Sequence, residues 1–530
     1  MALSVNFLLL LPIIIPFLGG ILLFGFRKWI KGFAGEISVA VIIILVMVIA
    51  AITHQVNETA SKIVYGIYNT SQGIEYGPPI GVQIRADGFS SWFLLFISII
   101  EVCILMWETN KNRDDPNTPL LFSLSLFLIA GINGVLFSYD FFTLFLSWTI
   151  ITIALIVLIG FDQQKKQIGN KIAITYKMLG LALALMLFAI VLCYGIFGTL
   201  NFDFVKKHSD LLSPERAKAL AGVISLCIAL IITAFGILAH FCFINFWMPE
   251  TIEDAPTSTK VFITTIVSGG AVFSIIQTLT SFFPSSSSLF PNYPLILGII
   301  GIITTFEGVL LIIGEVGKKE PQEADLSKII IYSTFVNIGI ILTGLTLGSF
   351  GSLTGTENSD MLTNLVGYST LQIINFMVSM FLCLFSTERL SRKMENSYNL
   401  FTLQGAMKKL PLTTFILIIA LLSLGGCLPT LGGVTIYMIL FSFIKSGYFF
   451  FAILIGVALL LVLFYYFKII KVLLWEKSSL RLTISTNGIS ADISFPTIVG
   501  LIVALGLLFF GIVPSPIITQ LINGLEAILP

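Results

Sequence analysis

The chain has 530 residues, of which 56% are hydrophobic and 11% charged, with a formal net charge of +1. That apolar excess excludes an ordinary soluble domain, and the near-neutral balance gives no sign of a nucleic-acid partner. A closed barrel is excluded as well, because the apolar runs are too long and too uniform for alternating strands. Runs of roughly 20 apolar residues, enough to cross a bilayer as a helix, recur along the whole length. They predict an all-α polytopic membrane protein of about fourteen helices, forming a single membrane domain over 1–530.

In chain order, the predicted spans are 4–25, 36–54, 89–107, 119–138, 140–161, 172–198 and 219–247. The later ones are 257–282, 294–315, 327–348, 364–386, 411–442, 447–474 and 492–513. A short apolar tail, Ile517 to Leu529, reads as interfacial, and the loops 55–88, 199–218 and 387–410 are long and polar. The first run lacks a basic leader and a cleavage site, so it reads as a span and not as a signal peptide. Basic residues collect in alternate loops, from Arg27 and Lys28 through Lys165, Lys318, Arg392 and Lys408 to Arg481. The positive-inside rule then predicts both termini on the outer face of a cell membrane or another energy-transducing membrane.

Two spans read as broken. The seventh ends in Phe246-Trp247-Met248-Pro249, and the twelfth carries Gly425-Gly426-Cys427-Leu428-Pro429. Proline removes a backbone donor, so each site admits two readings: an ordinary kink, or one of a pair of interrupted helices in an internal repeat. The six cysteines lie in apolar runs without C-x-x-C spacing and predict neither a disulfide framework nor a metal site. No Walker A sequence, cluster-ligand pattern or nucleotide-binding glycine pattern occurs, so no cofactor and no catalytic centre of its own is expected.

An ordered set of segments carries a family resemblance. They are Gly81 to Gly88, Ala130-Gly131-Ile132-Asn133-Gly134, Ser138 to Thr143, Ser147-Trp148-Thr149, Tyr194 to Thr199, Phe246 to Glu250 and Asp254-Ala255-Pro256-Thr257. Asp325-Leu326-Ser327-Lys328, Tyr332-Ser333-Thr334 and the Gly-Pro break of the twelfth span follow. In this order and spacing the chain resembles the antiporter-like subunits of complex I, of Mrp cation/proton antiporters and of group 4 membrane-bound hydrogenases. The resemblance implies two inverted five-helix repeats, about 119–282 and 294–474, with helices 7 and 12 broken. It also implies membrane-subunit partners and a buried chain of Glu, Lys and His residues that passes protons, the chemistry for which ionisable groups are held at membrane depth.

Aligned residue by residue, the expected charges are missing. Thr149 stands where the resemblance places a glutamate, and Leu238 and Ser268 (or Thr264) where it places lysines or a histidine. Asn337, Asn375, Ser379 and Tyr437 stand at the positions of the second repeat. The ionisable residues that remain, Glu101, Lys177, His240 and Glu307, are the candidates for an alternative ion path. Each has a plainer reading too: His240 as a packed histidine, Lys177 as a snorkelling lysine, and Glu101 and Glu307 as protonated acids or subunit contacts. Lys260 is expected to pair with Glu250, Glu253 or Asp254, and Asp140 to cap a helix. The expectation is a structural or coupling subunit with a degenerate pathway; the alternative is an active antiporter subunit with a rerouted one.

Overall fold

The computed structural model describes residues 7–30, 32–59, 63–66, 81–111, 117–161, 168–253, 255–282, 293–318, 324–350, 359–394, 397–475 and 492–515. The predicted tail at 517–529 lies outside these residues. Long apolar segments satisfy their backbone groups internally as helices, the condition for spanning lipid. Among the described residues twelve helices are long and apolar enough to cross a membrane, and three shorter apolar ones accompany them. The first helices are α1 (Leu11–Gly25) and α2 (Ala34–Thr59), followed by a hairpin of β1 (Ile63–Gly66) and β2 (Gln83–Ala86). Next come α3 (Gly88–Lys111), α4 (Thr118–Phe137), α5 (Phe141–Ile159), α6 (Ile168–Phe197), the short α7 (Phe202–Asp210) and α8 (Pro214–Ala239). The chain then turns through α9 (Trp247–Ile252) and α10 (Thr257–Val261), a π turn at Phe262–Val267, and α11 (Ser268–Phe282). The second half holds α12 (Tyr293–Val316), α13 (Leu326–Phe350), α14 (Ser359–Lys393), α15 (Ala406–Lys409), α16 (Pro411–Leu424), α17 (Leu431–Lys445), α18 (Phe449–Trp475) and α19 (Phe495–Ile512).

Two like arrangements of hydrogen bonds recur along the chain. Asp140, just before α5, bridges Asn201, just before α7; Phe141 N donates to Leu200 O and Phe202 N to Tyr139 O. Asp325, just before α13, bridges Asn399 in the same way, with Leu326 N on Tyr398 O and Leu400 N on Ala324 O. Each aspartate caps the helix it precedes: Asp140 Oδ1 accepts from Thr143 N at 2.7 Å, and Asp325 Oδ1 from Ser327 N at 2.7 Å. Burial pushes both carboxyls upward, against the pull of these amides. Asp140 also accepts from Gln83 N at 2.7 Å and from the Thr143 hydroxyl at 2.6 Å, which ties the hairpin to the bundle. Asp140→Ala is therefore expected to cost about 2 kcal/mol, the upper end for a lost cap, and Asp140→Asn less. Thermal unfolding of the detergent-solubilised protein measures both, and equal loss in the two variants would refute the capping role.

Helices α12 and α13 meet backbone to backbone. An added Cβ at Gly301 would lie 2.7 Å from Gly339 O, and one at Gly339 would collide in turn with Gly301 O. Small residues let two helix backbones approach where lipid supplies no hydrophobic drive for association.

Candidate functional site

The two broken helices differ in how they break. In the twelfth span α16 stops at Leu424, Gly426 takes φ 75°, Leu428-Pro429 is a cis peptide, and α17 restarts at Leu431 with Thr430 as its cap. This break falls where the Gly-Pro sequence predicts it. The seventh span breaks earlier than predicted. Its helix ends at Ala239, and His240 closes it in a left-handed conformation, φ 63° and ψ 50°, with its N–H on Gly236 O. Pro249 breaks nothing: it is the third residue of α9, in the first turn, where a missing N–H has no intrahelical acceptor to lose.

Residues of α12 hold the His240 break open. Cys242 N donates to Thr304 Oγ1 at 3.0 Å, and Asn245 Nδ2 to Glu307 Oε2 at 3.0 Å. His240 is buried with its ring 5.5 Å from that of Trp247, and neither ring nitrogen has an aligned hydrogen-bond partner. The polar group it approaches is the backbone of Ile263 in the π turn. The Ile263 carbonyl accepts from the Ser268 backbone N–H, the i+5 bond of the π turn, and from Ser268 Oγ at 2.8 Å. His240, Ile263 and Ser268 thus gather at one point between the two spans.

The four candidate path residues do not form one hydrogen-bonded chain among the described residues. Glu307 is half-buried and joined to the His240 break through Asn245. Lys177 is exposed on α6. Glu101 is fully buried on α3, and neither carboxylate oxygen has a partner.

Three of the positions expected to carry family charges, Asn337, Asn375 and Ser379, hold neutral groups that share one hydrogen-bonded network. Asn337 Nδ2 donates to Ser333 O at 3.0 Å, and Gln372 Nε2 donates to Asn337 Oδ1 at 3.0 Å. Gln372 Oε1 accepts from the Thr435 hydroxyl and from Asn375 Nδ2 at 3.4 Å. Asn375 Oδ1 accepts from Ser423 at 2.6 Å and from Ser379 at 3.4 Å. Tyr466 OH closes the far end on Ser333 Oγ at 2.5 Å. The network crosses α13, α14, α16, α17 and α18, and all its side chains are buried. Gln372, Thr435, Ser423 and Tyr466 are not foreseen from the sequence, although a polar stripe at 372, 375 and 379 has helical spacing and is the signal that marks them.

The other positions at which charge is expected are separate. Leu238 is core, Thr149 is half-buried and bonds Phe145 O at 2.8 Å, and Trp148 beside it donates to Ser274 Oγ at 3.2 Å. Tyr437 is not the inward residue of α17: it is 55% exposed and stacks on Phe441, while Thr435 faces the interior.

Of the acids expected near Lys260, Glu253 is engaged by another lysine. Glu253 pairs with Lys328 at 2.9 Å, whereas buried Lys260 lies over the Tyr398 ring at 5.2 Å and within electrostatic reach of Asp325. Asp254 lies outside the described residues.

Comparison with known proteins places this geometry in a family. Residues 138–463 match the family described as NADH:quinone oxidoreductase/Mrp antiporter, TM. The chain is 25% identical over 479 residues to an Na(+)/H(+) antiporter subunit of Alkalihalophilus pseudofirmus, covering 89% of this chain and 87% of the relative. It is 26% identical over 448 residues to an NADH-quinone oxidoreductase subunit of Dehalococcoides mccartyi, covering 84% and 87%. Its fold is similar to that of a chain in the structure of the membrane-bound sulfane sulfur reductase, an archaeal respiratory membrane complex, with TM-score 0.82, 19% identity and coverage of 99% and 98%. A chain of the Mrp complex from Dietzia sp. gives TM-score 0.78 at 17% identity, with coverage of 99% and 100%. The chain belongs to the NADH:quinone oxidoreductase/Mrp antiporter transmembrane family.

Proposed function

We propose that this chain is a structural and coupling subunit of a multi-subunit membrane assembly, of the complex I, Mrp or membrane-bound hydrogenase kind, with no complete proton path of its own. It seals and spaces its neighbours and holds the two broken helices in fixed geometry. The observation that carries this reading is the amide and hydroxyl network of Asn337, Gln372, Asn375 and Thr435. Amides hold their protons at all physiological pH values, so a chain of them braces helices without relaying charge in the way that alternating Lys and Glu can. Its partners are other membrane subunits and lipid, and any redox chemistry belongs to the assembly.

The alternative, an active cation/proton antiporter subunit with a rerouted path, draws on the unpartnered ring of His240 beside the π turn. Reconstitution in liposomes with a pH-sensitive dye separates the two. The structural reading expects no uptake above protein-free vesicles, with the wild type and His240→Ala alike. Uptake that His240→Ala abolishes would establish the alternative.

A further inference from the structure

Helix α3 carries two buried acids, Glu101 and Glu108. They are seven residues apart, two turns or about 10 Å, and so share one face. Glu101 lies near the middle of the helix, about 15 Å along the axis from Lys111 and about 20 Å from Gly88. Both of its oxygens lack partners. The elements packed chiefly against α3 are α2, α4, α10, α14 and α19. Helices α4 and α19 carry no ionisable side chain, and α2 has Glu36, His54 and Glu58 only near its ends. Helix α10 brings Lys260; α14 brings Tyr368, Cys383, Glu388, Arg389, Arg392 and Lys393; and Cys103 lies on α3 itself. None of them forms an ion pair or hydrogen bond with Glu101. A bare carboxylate in such a place is costly, and a bound proton removes most of that cost.

The two ends of α3 differ. Helices α10 and α14 pack beside it and contribute Ser258, Thr259, Ser386 and Thr387, all buried and all with hydroxyls that have no partner among the described residues. The Trp107 ring lies 5.8 Å from that of Phe385, which sets the Ser386 turn against the Glu108 turn. Buried hydroxyls are seldom left unpaired, and several along one seam are the pattern that bound water satisfies. Toward the N-terminus Phe and Ile side chains wind along α3, and buried Ser98, one turn from Glu101, is satisfied by its own helix, donating to Leu94 O at 2.7 Å. Phe89, Phe93, Ile97 and Glu101 follow one another at four-residue steps, and Phe273 stacks on Phe89 and Phe93 at 5.4 and 5.3 Å.

We propose that Glu101 is a proton-binding site served from one face of the membrane only, through a water-lined seam between α3, α10 and α14 that the Phe89–Phe93–Phe273 stack closes on the other side. The proton comes from bulk water at the C-terminal end of α3 and returns there; no other reactant is needed. Such a well conducts nothing across the bilayer, so it stands apart from the amide network and from the structural reading built on that network.

The test uses the full-length protein in its native assembly, in membranes, with Ser386→Cys, Thr387→Cys and Ile97→Cys made singly. Ser386→Cys exchanges one atom, and co-purification of the assembly verifies folding for each variant. Only a hydrated thiol ionises and reacts with aminoethyl methanethiosulfonate, so Ser386→Cys and Thr387→Cys are expected to be modified about tenfold or more faster than Ile97→Cys. Dicyclohexylcarbodiimide, which captures protonated carboxyls in apolar surroundings, is expected to label the peptide containing Glu101 and to leave Glu101→Gln unlabelled. Equal thiol rates on the two sides of Glu101, no modification at the two α14 positions, or no adduct on Glu101 would each overturn the proposal.

Discussion

Gly432→Ala is expected to be among the most damaging single-methyl changes at the described glycines, costing about 3 kcal/mol or more as an overpacked site that cannot relax. A Cβ at Gly432 would overlap Ser423 O and lie 2.6 Å from Asn375 Nδ2. The first contact is backbone, on the last turn of α16, so relief requires the two halves of the broken helix to separate. The second is a member of the amide network, so separation also stretches Asn375 away from Ser423 and Gln372. Gly456→Ala in α18 is the control, because an added Cβ there meets nothing within 4 Å and removes a helix-interior glycine. Thermal unfolding of the solubilised protein, followed by its detergent-extractable folded fraction, reads both. If the two variants unfold together, Gly432 does not set the spacing of the break.

The two breaks show how much of the site is legible in the sequence. At Gly425 to Pro429 the residues that allow the break also form it, since a positive-φ glycine and a proline act locally. At His240 the break rests on a non-glycine residue in the left-handed region, and what holds it is Thr304 and Glu307, some sixty residues away. No local signal encodes that, and the nearby proline points to the wrong turn. Counting along the chain fails at Tyr437 for a related reason. The helical phase restarts at Leu431 after the break, so facing positions after it are set by the new helix and not by the old one. The membrane class and the family are legible because composition and motif order carry them directly, and the neutral residues Asn337, Asn375 and Ser379 are read straight from the sequence. That these neutral residues bond one another through Gln372 is a property of five helices meeting, which spacing on one helix only hints at.

Gln372→Leu is the variant that separates a brace from a wire. Gln372 serves three partners on three helices: Asn337 of α13, Asn375 of α14 and Thr435 of α17. Leucine keeps the volume but leaves Asn337 Oδ1 and the Thr435 hydroxyl without their inter-helix partner, at about 1–3 kcal/mol for each group that finds no substitute. Thr435 has one: its hydroxyl also reaches Leu431 O and Gly432 O at 3.1 Å, and such back-bonding limits the loss within membranes. The expected cost is therefore about 2 kcal/mol, centred on Asn337, with a lower unfolding temperature and less assembled complex. Gln372→Glu keeps the acceptor and the shape, and a protonated glutamic acid there keeps one donor for Asn337, so it is expected to recover most of the stability. On the structural reading, proton flux in reconstituted vesicles stays at background in the wild type and both variants while stability alone changes. A network that conducts would behave in the opposite sense: Gln372→Leu would abolish a measurable wild-type flux, and Gln372→Glu, which adds a titratable group in the middle of the chain, would change its pH dependence.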